Sequence, residues 1–237
     1  MLPQLALELD NISFFVPPEI SSALVPLPWR HALETWDEYG VQLLNVKSGL
    51  SRHIVRFVEV ADRRFAVKET SLASAQREYK TYIRLGEMGL HTLVPVGYVA
   101  RNDGLAIIET KIGGQPQEHV TGYLITELME KVVPDSLLFK RGFSKENRKR
   151  IWDAVISLFV EMHSHGVYWG DASLANMLIN FSTETVPELG HRTKLGAVLA
   201  DVETVEIHRS ITDSLRLVDV EFFIESMHWT EADLKAS

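Results

Sequence analysis

A chain of 237 residues, 46% hydrophobic and 24% charged, has an ordinary globular make-up and enough length for one large domain or two small lobes. Its net charge of −8 argues against a nucleic-acid-coating surface and against a polybasic membrane patch. The absence of cysteine excludes disulfides, thiolate catalysis and zinc–thiolate sites.

The opening MLPQLALELD has no basic n-region and meets an acid almost at once, which does not fit a secretory signal. No run approaches the roughly 20 apolar residues of a membrane span. The best candidate, IWDAVISLFVEM, is broken by Asp153 and Glu161. These features predict a soluble, cytoplasmic protein.

Residues 1–38 carry Pro3, Pro17, Pro18, Pro26 and Pro28, and read as an irregular arm with Leu24, Trp29 and Trp36 as anchors. Three short antiparallel strands follow, VQLLNV, HIVRFVEV and FAVKE, separated by KSGLS and the turn ADRR. Thr70 or Ser71 can cap a helix running to about Leu85, with Tyr79, Tyr82, Ile83 and Leu85 as its apolar positions. The turn Asn102-Asp103-Gly104 between VPVGYVA and LAIIET predicts a hairpin, and GYLITEL a further strand. Ser144 can cap a long helix through about Ser164, with Ile151, Val155, Leu158, Phe159 and Met162 at spacings of three and four. After it come the loop HGVYWGDASLAN, a strand NMLINF, a polar connection over 182–194 and a strand GAVLADVE. A last helix is expected over about 212–228. The pattern is α+β: a small antiparallel β lobe with one helix over 39–130, then a mainly helical lobe over 131–237. Clefts between such lobes bind small molecules.

Four polar elements, in this chain order and on these host structures, match the parts of a phosphoryl-transfer enzyme. Lys68 ends an apolar strand and can hold phosphate oxygens as a point charge; the plainer reading is a surface lysine. Glu78, on the next helix, can pair with Lys68, although Glu69 is a rival partner and a solvated glutamate the plainer reading. In the loop, Asp171 can orient an acceptor hydroxyl and take its proton; the plainer reading of the loop is an ordinary Asx turn after a helix. Asn176, five residues on, offers a carbonyl oxygen to Mg²⁺. Asp201 arrives at the end of a buried strand, where a carboxylate asks for a cation; the plainer reading is an aspartate that caps a turn. His163 and His165, close to a helix C-terminus, read as dipole partners or packing residues before they read as a metal pair.

Taken together, these segments resemble the protein-kinase-like superfamily. WGDASLAN resembles the catalytic loop, in the variant found in aminoglycoside, lipopolysaccharide and RIO-type kinases. ADVE resembles the metal-binding DFG element, with Asp201 in the aspartate position. LITELME resembles the strand and hinge that hold adenine, which implies Thr126 before the hinge and Glu127 to Met129 within it. More narrowly, LPWRHALETW, SGLSRHIVRFVE, AQREYKTYIRL, WGDASLAN and ADVETVE are similar to bacterial kinase-like proteins of a domain family of unknown function, over roughly residues 26–228. The resemblance implies a two-lobed kinase-like fold. It implies ATP and Mg²⁺ as cofactors, with Asp171, Lys68 and Glu78 in catalysis and Asn176 and Asp201 on the metal. Ser48, Gly49, Ser51, Lys68, Glu127 and Met129 are the implied nucleotide contacts.

The departures are specific. KSGLSR has one glycine, Gly49, where kinases carry three. Ser173 stands where many have lysine or histidine, and Glu203 replaces the glycine of DFG. About 36 residues follow Asp201, with no A-P-E element. The expectation is a phosphotransferase acting on a hydroxyl acceptor, a small molecule or sugar slightly favoured over protein. The rival is a pseudokinase acting through partners, and AMP transfer would use the same residues. Trp229, near the end of the last helix, is a possible partner contact.

Overall fold

The computed structural model describes residues 7–46, 53–109, 117–134, 144–186 and 190–236. Contacts group the chain into two compact units. The first is formed by residues 1–46, 51–83 and 94–128, the second by 47–50, 84–93 and 129–237.

The first unit is built on a six-stranded antiparallel sheet. Its strands are β1 (Leu7–Leu9), β2 (Ile12–Phe15), β3 (Val55–Val60), β4 (Arg63–Ser71), β5 (Pro95–Glu109) and β6 (Gln117–Glu127), in the spatial order β1-β2-β5-β6-β4-β3. The N-terminal segment does pack on the sheet through Leu24, Trp29 and Trp36, as expected of the arm, but it is not irregular. Asp10 and Asn11 take positive φ angles of 47° and 68° and close a tight β1–β2 hairpin, and β2 pairs with β5. The prolines start structure here: Pro18 stands in the first turn of helix α1 (Pro18–Leu24), where a missing N–H costs nothing. A 3₁₀ helix, Leu33–Tyr39, follows.

Alternation along the strands gives the sheet two covered faces. One carries Phe65, Val67, Val99, Tyr123 and Ile125, packed with Leu24, Trp29, Leu33 and Trp36 of the N-terminal segment. On the other, Tyr98 meets Tyr79 of helix α2 (Leu72–Glu87), with ring centroids 5.9 Å apart. Ser71 is the cap of α2, its hydroxyl accepting the Ser74 amide at 3.2 Å.

Two strand expectations change. VQLLNV contributes only a bridge between Leu43 and Val58. Asn102-Asp103-Gly104 is not a turn: β5 runs through it, and its register against β6 jumps from Arg101↔Thr121 to Ala106↔Val120. The extra residues form an irregularity in one strand, a use to which turn residues are equally suited.

In the second unit, helix α3 (Lys145–Ser164) starts where its cap predicts, with the Ser144 hydroxyl accepting the Asn147 amide at 3.2 Å. Ile151, Val155, Leu158, Phe159 and Met162 are all buried. Helix α4 spans Asp213–Ala236. It runs antiparallel to α3, since Phe159 meets Phe223 while His163 meets Asp219. A three-stranded sheet, in the order β10-β9-β7, is formed by β7 (Val132–Pro134), β9 (Met177–Val186) and β10 (Gly190–Leu199). The stretch over 182–194 is thus mostly strand, not a polar connection. Its Ser182-Thr183-Glu184-Thr185-Val186 sequence is rich in β-branched residues, and hairpin pairing overrides its polarity. Finally β8 (Val167–Tyr168) pairs with β11 (Glu206–Ile207). Among the described residues no helix is long and apolar enough to cross a membrane.

Candidate active site

The first unit supplies an ion pair. Lys68, on β4, sits between Val55 of β3 and Leu124 of β6 in the sheet register. Its Nζ donates to both carboxylate oxygens of Glu78, at 3.0 and 2.9 Å. The Lys68 side chain is 12% exposed and that of Glu78 1%, so Glu78 is no solvated helix glutamate. A carboxylate this deep needs a cation partner. The rival, Glu69, is engaged elsewhere: its Oε2 accepts the Leu33 amide at 2.8 Å, at the start of the 3₁₀ helix.

At the end of β6, Thr126 is buried and Glu127 is exposed, with Arg63 Nη2 on its Oε1 at 2.9 Å. The Glu127 amide bonds to the Val94 carbonyl and the Leu128 amide to that of Arg64. Met129 belongs to the second unit, where its thioether accepts the Asn180 amide nitrogen at 3.8 Å. Ser48, Gly49 and Ser51 lie outside the described residues.

The second unit gathers Asp171, Asn176 and Asp201, each half-buried, through one set of hydrogen bonds. The turn out of α3 passes Gly166 at φ 75°, where a Cβ would strike the His208 carbonyl. Only glycine satisfies both demands. Past β8, Gly170 repeats the left-handed conformation at φ 79° and presents Asp171. Asp171 O accepts the Ser173 amide at 2.8 Å and Asn176 Nδ2 at 3.0 Å. The same Asn176 accepts the Ala200 amide on its carbonyl at 3.0 Å, next to Asp201. Asp201 Oδ1 accepts the Glu203 amide at 3.0 Å, and Trp169 Nε1 donates to Asp201 O at 2.9 Å. With the Asn176 amide nitrogen committed to Asp171, its Oδ1 is the atom left to face a cation. It and the Asp201 carboxylate are hard oxygen donors, of the kind that could hold Mg²⁺ in preference to a soft metal.

A residue that the sequence reading missed holds this loop from behind. Asp219 of α4 has 0% exposure. Its Oδ2 accepts the Trp169 amide at 2.9 Å and its Oδ1 the Gly170 amide at 2.8 Å. His163 Nε2 lies 3.1 Å from Oδ2. His163 is thus a packing partner of Asp219, and His165 bonds through Nδ1 to the Glu161 carbonyl at 2.7 Å. Among the described residues no three His, Cys, Asp or Glu side chains gather as a metal cluster. Tyr168 carries the electrostatic mark of these acids. Burial first, then the charges of Asp219 and Glu206, pushes its hydroxyl above the usual tyrosine range.

No protein-family model and no curated protein matches the sequence. Solved structures do. WaaP in complex with acyl carrier protein aligns with a TM-score of 0.54 at 17% identity, covering 89% of this chain and 79% of that one. The Rio2 kinase of Chaetomium thermophilum, as an ADP/Mg²⁺-phosphoaspartate complex, aligns with a TM-score of 0.50 at 13% identity, covering 84% of this chain and 58% of the other. A second Rio2 structure from the same organism gives the same score and identity, with 59% of that chain covered. This chain therefore spans under two thirds of Rio2. These alignments and the α+β architecture described above show that the chain has a protein-kinase-like fold.

Proposed function

We propose that this chain is a kinase-like phosphotransferase that moves the γ-phosphoryl group of ATP to a hydroxyl acceptor with Mg²⁺ as cofactor. The observation that carries the reading is the buried Lys68–Glu78 pair. An ion pair of this kind repays its desolvation poorly as a source of stability. It makes sense as a device that aims an ammonium at phosphate oxygens. The oxygen donors of Asn176 and Asp201, tied to Asp171, support the same reading from the second unit. So does the ADP/Mg²⁺ in the Rio2 complex.

In this reading the acceptor hydroxyl oxygen forms a bond to the γ-phosphorus as the bond from that phosphorus to the β–γ bridging oxygen breaks. ADP leaves with the bonding electrons, and the hydroxyl proton passes to Asp171. When bound, Mg²⁺ neutralises the phosphate charge. The transition state is loose, so positioning and charge matter more than proton abstraction. Thr126, Glu127 and Met129 hold the adenine end, and Ser48, Gly49 and Ser51 the phosphates. The acceptor is a small molecule or sugar in preference to a protein, and the ATP supply makes the cytoplasm the working compartment. The acyl carrier protein bound to WaaP and the exposed Leu217, Val220 and Ile224 on α4 support a protein partner as well.

Glu203 in place of the DFG glycine and Ser173 in place of a basic residue favour a second reading: a pseudokinase that binds nucleotide without turning it over. Thermal shift with ATP, with and without Mg²⁺, separates binding from none. Transfer of label from γ-³²P-ATP, compared with α-³²P-ATP, then separates phosphate transfer from AMP transfer. Wild type should transfer γ-label, and Lys68→Met, Asp171→Ala and Asp201→Ala should each lose roughly 10²-fold or more. Mg²⁺-dependent binding with no transfer to a broad acceptor panel selects the pseudokinase.

A further inference from the structure

We infer that the groove between α3 and α4 is a docking site for a cationic amphipathic helix of another protein. The inference rests on the partner reading given above, to which it adds a chemistry, and it does not depend on phosphotransfer.

The groove follows α3 from Trp152 to Ser164, with α4 as its other wall, and its volume is about 450 Å³. Phe159 and Phe223 are buried at its floor, with ring centroids 5.4 Å apart. Its shoulders are Ile156 and Val160 on α3 and Val220 and Ile224 on α4. These four are exposed, at 58, 59, 37 and 42%. Single apolar residues on a surface need no explanation, but four that share one groove mark a contact. At 1.5 Å per residue the span along α3 is about 18 Å, the length of a three-turn helix. A groove between two antiparallel helices accepts a third helix, which fills it with apolar side chains at i, i+3 or i+4 and i+7.

Charge selects the occupant. Glu161, Glu221 and Glu225 each directly follow a shoulder residue, which turns them toward the outer sides of the groove, and all three are exposed. Among the described residues none of the three carboxylates makes an ion pair. Two cations on these helices are answered locally: Lys149 meets Asp153 at 2.8 Å, and Arg216 lies 3.8 Å from Asp213. The groove is thus apolar along its floor and uncompensated in negative charge along its sides. A second copy would bring the same acidic sides together, because a two-fold contact joins identical patches. The net charge of −8 adds to that repulsion. An anionic membrane surface meets the same objection. A helix with one apolar face bordered by Lys and Arg satisfies floor and sides together.

The test titrates the full chain with a synthetic helical peptide of about four turns, with leucine on one face and lysine on its borders. One control carries glutamate in place of lysine, and another is a scrambled peptide of the same composition. Binding is read by fluorescence anisotropy at low and high salt, and self-association by sedimentation. The lysine peptide should bind at least tenfold tighter than either control, and more weakly at high salt. Replacing Glu161, Glu221 and Glu225 together by Gln should weaken it roughly five- to tenfold, the combined scale of three exposed charge contacts. Ile224→Arg should weaken it roughly tenfold or more, with melting temperature and ATP affinity at wild-type values, because this side chain already faces water. A glutamate peptide that binds as well as the lysine one overturns the charge assignment. A scrambled peptide that binds equally, no peptide binding at all, or an Ile224→Arg variant that binds like wild type removes the groove as the site, and the partner reading loses its support on α4. A wild-type dimer that Ile224→Arg splits also overturns the inference and assigns the groove to a second copy.

Discussion

Asp219 lies within the run LRLVDVEFFI, where a lone acid reads as part of a solvated helix stripe. What it does depends on contacts 49 to 56 residues away in sequence, at Gly170, Trp169 and His163. Backbone amides leave no mark in a sequence, so the partners of Asp219 were not legible. A weak signal existed: apolar neighbours on both sides, in phase with the buried Phe223 four residues on. The Lys68–Glu78 pairing was legible because residue type, order and host element agreed, and Asp171, Asn176 and Asp201 were singled out on the same grounds. Even so, the choice of Glu78 over Glu69 needed the Leu33 contact. Asp219→Asn keeps the shape but sets an amide N–H₂ against one of the two backbone donors. It should cost about 2–4 kcal/mol, read from urea unfolding. A loss under about 0.5 kcal/mol, the range of an ordinary surface change, would mean that the carboxylate holds nothing.

Elements with a strong local grammar came through the sequence well. Helix α3 has a serine cap and apolar residues at three-four spacing, and local and tertiary preferences coincide there. Elements whose identity depends on a partner did not. The segment over 182–194 is strand because β9 and β10 pair with each other, and 102–104 is a strand irregularity because β6 stays alongside. Helix α2 offers a test at this scale, through the rings that seat it on the sheet. The hydroxyl of Tyr79 is pushed up by burial, then by the charge of Tyr98. Tyr98 is pushed up by burial, partly offset by a hydrogen bond with Gln76. Both groups hold their proton more tightly folded than unfolded. Above the unfolded value of about 10 the folded chain binds more protons, so stability falls as pH rises. Melting temperatures taken from pH 8 to 11 should drop steeply above 10. Tyr79→Phe should flatten that drop while changing little at pH 8. A variant curve parallel to wild type would remove Tyr79 from the effect.

At the scale of the whole chain, the N-terminal 40 residues belong to the fold of the first unit. They read as an arm because prolines and a short two-residue turn hide β1, β2 and α1, although Asp10-Asn11 between LEL and ISFF is a hairpin signal. Their aromatics pack on one face of a six-stranded sheet. Trp29 sits edge-on to both Trp36 and Tyr123, at 4.9 and 5.2 Å, and Trp36 is 0% exposed. On the opposite face lies α2, which carries Glu78. Uncovering the aromatic face should therefore destabilise the strand and helix that hold the Lys68–Glu78 pair, without touching either residue. Trp36→Ala removes one of the two buried tryptophans of this layer and should cost about 3–5 kcal/mol. In urea, monitored by hydrogen exchange, protection of β4 and α2 amides should fall together in this variant, while α3 amides keep theirs. If β4 and α2 keep full protection while the N-terminal segment alone loses it, the segment is an appendage and does not support the sheet.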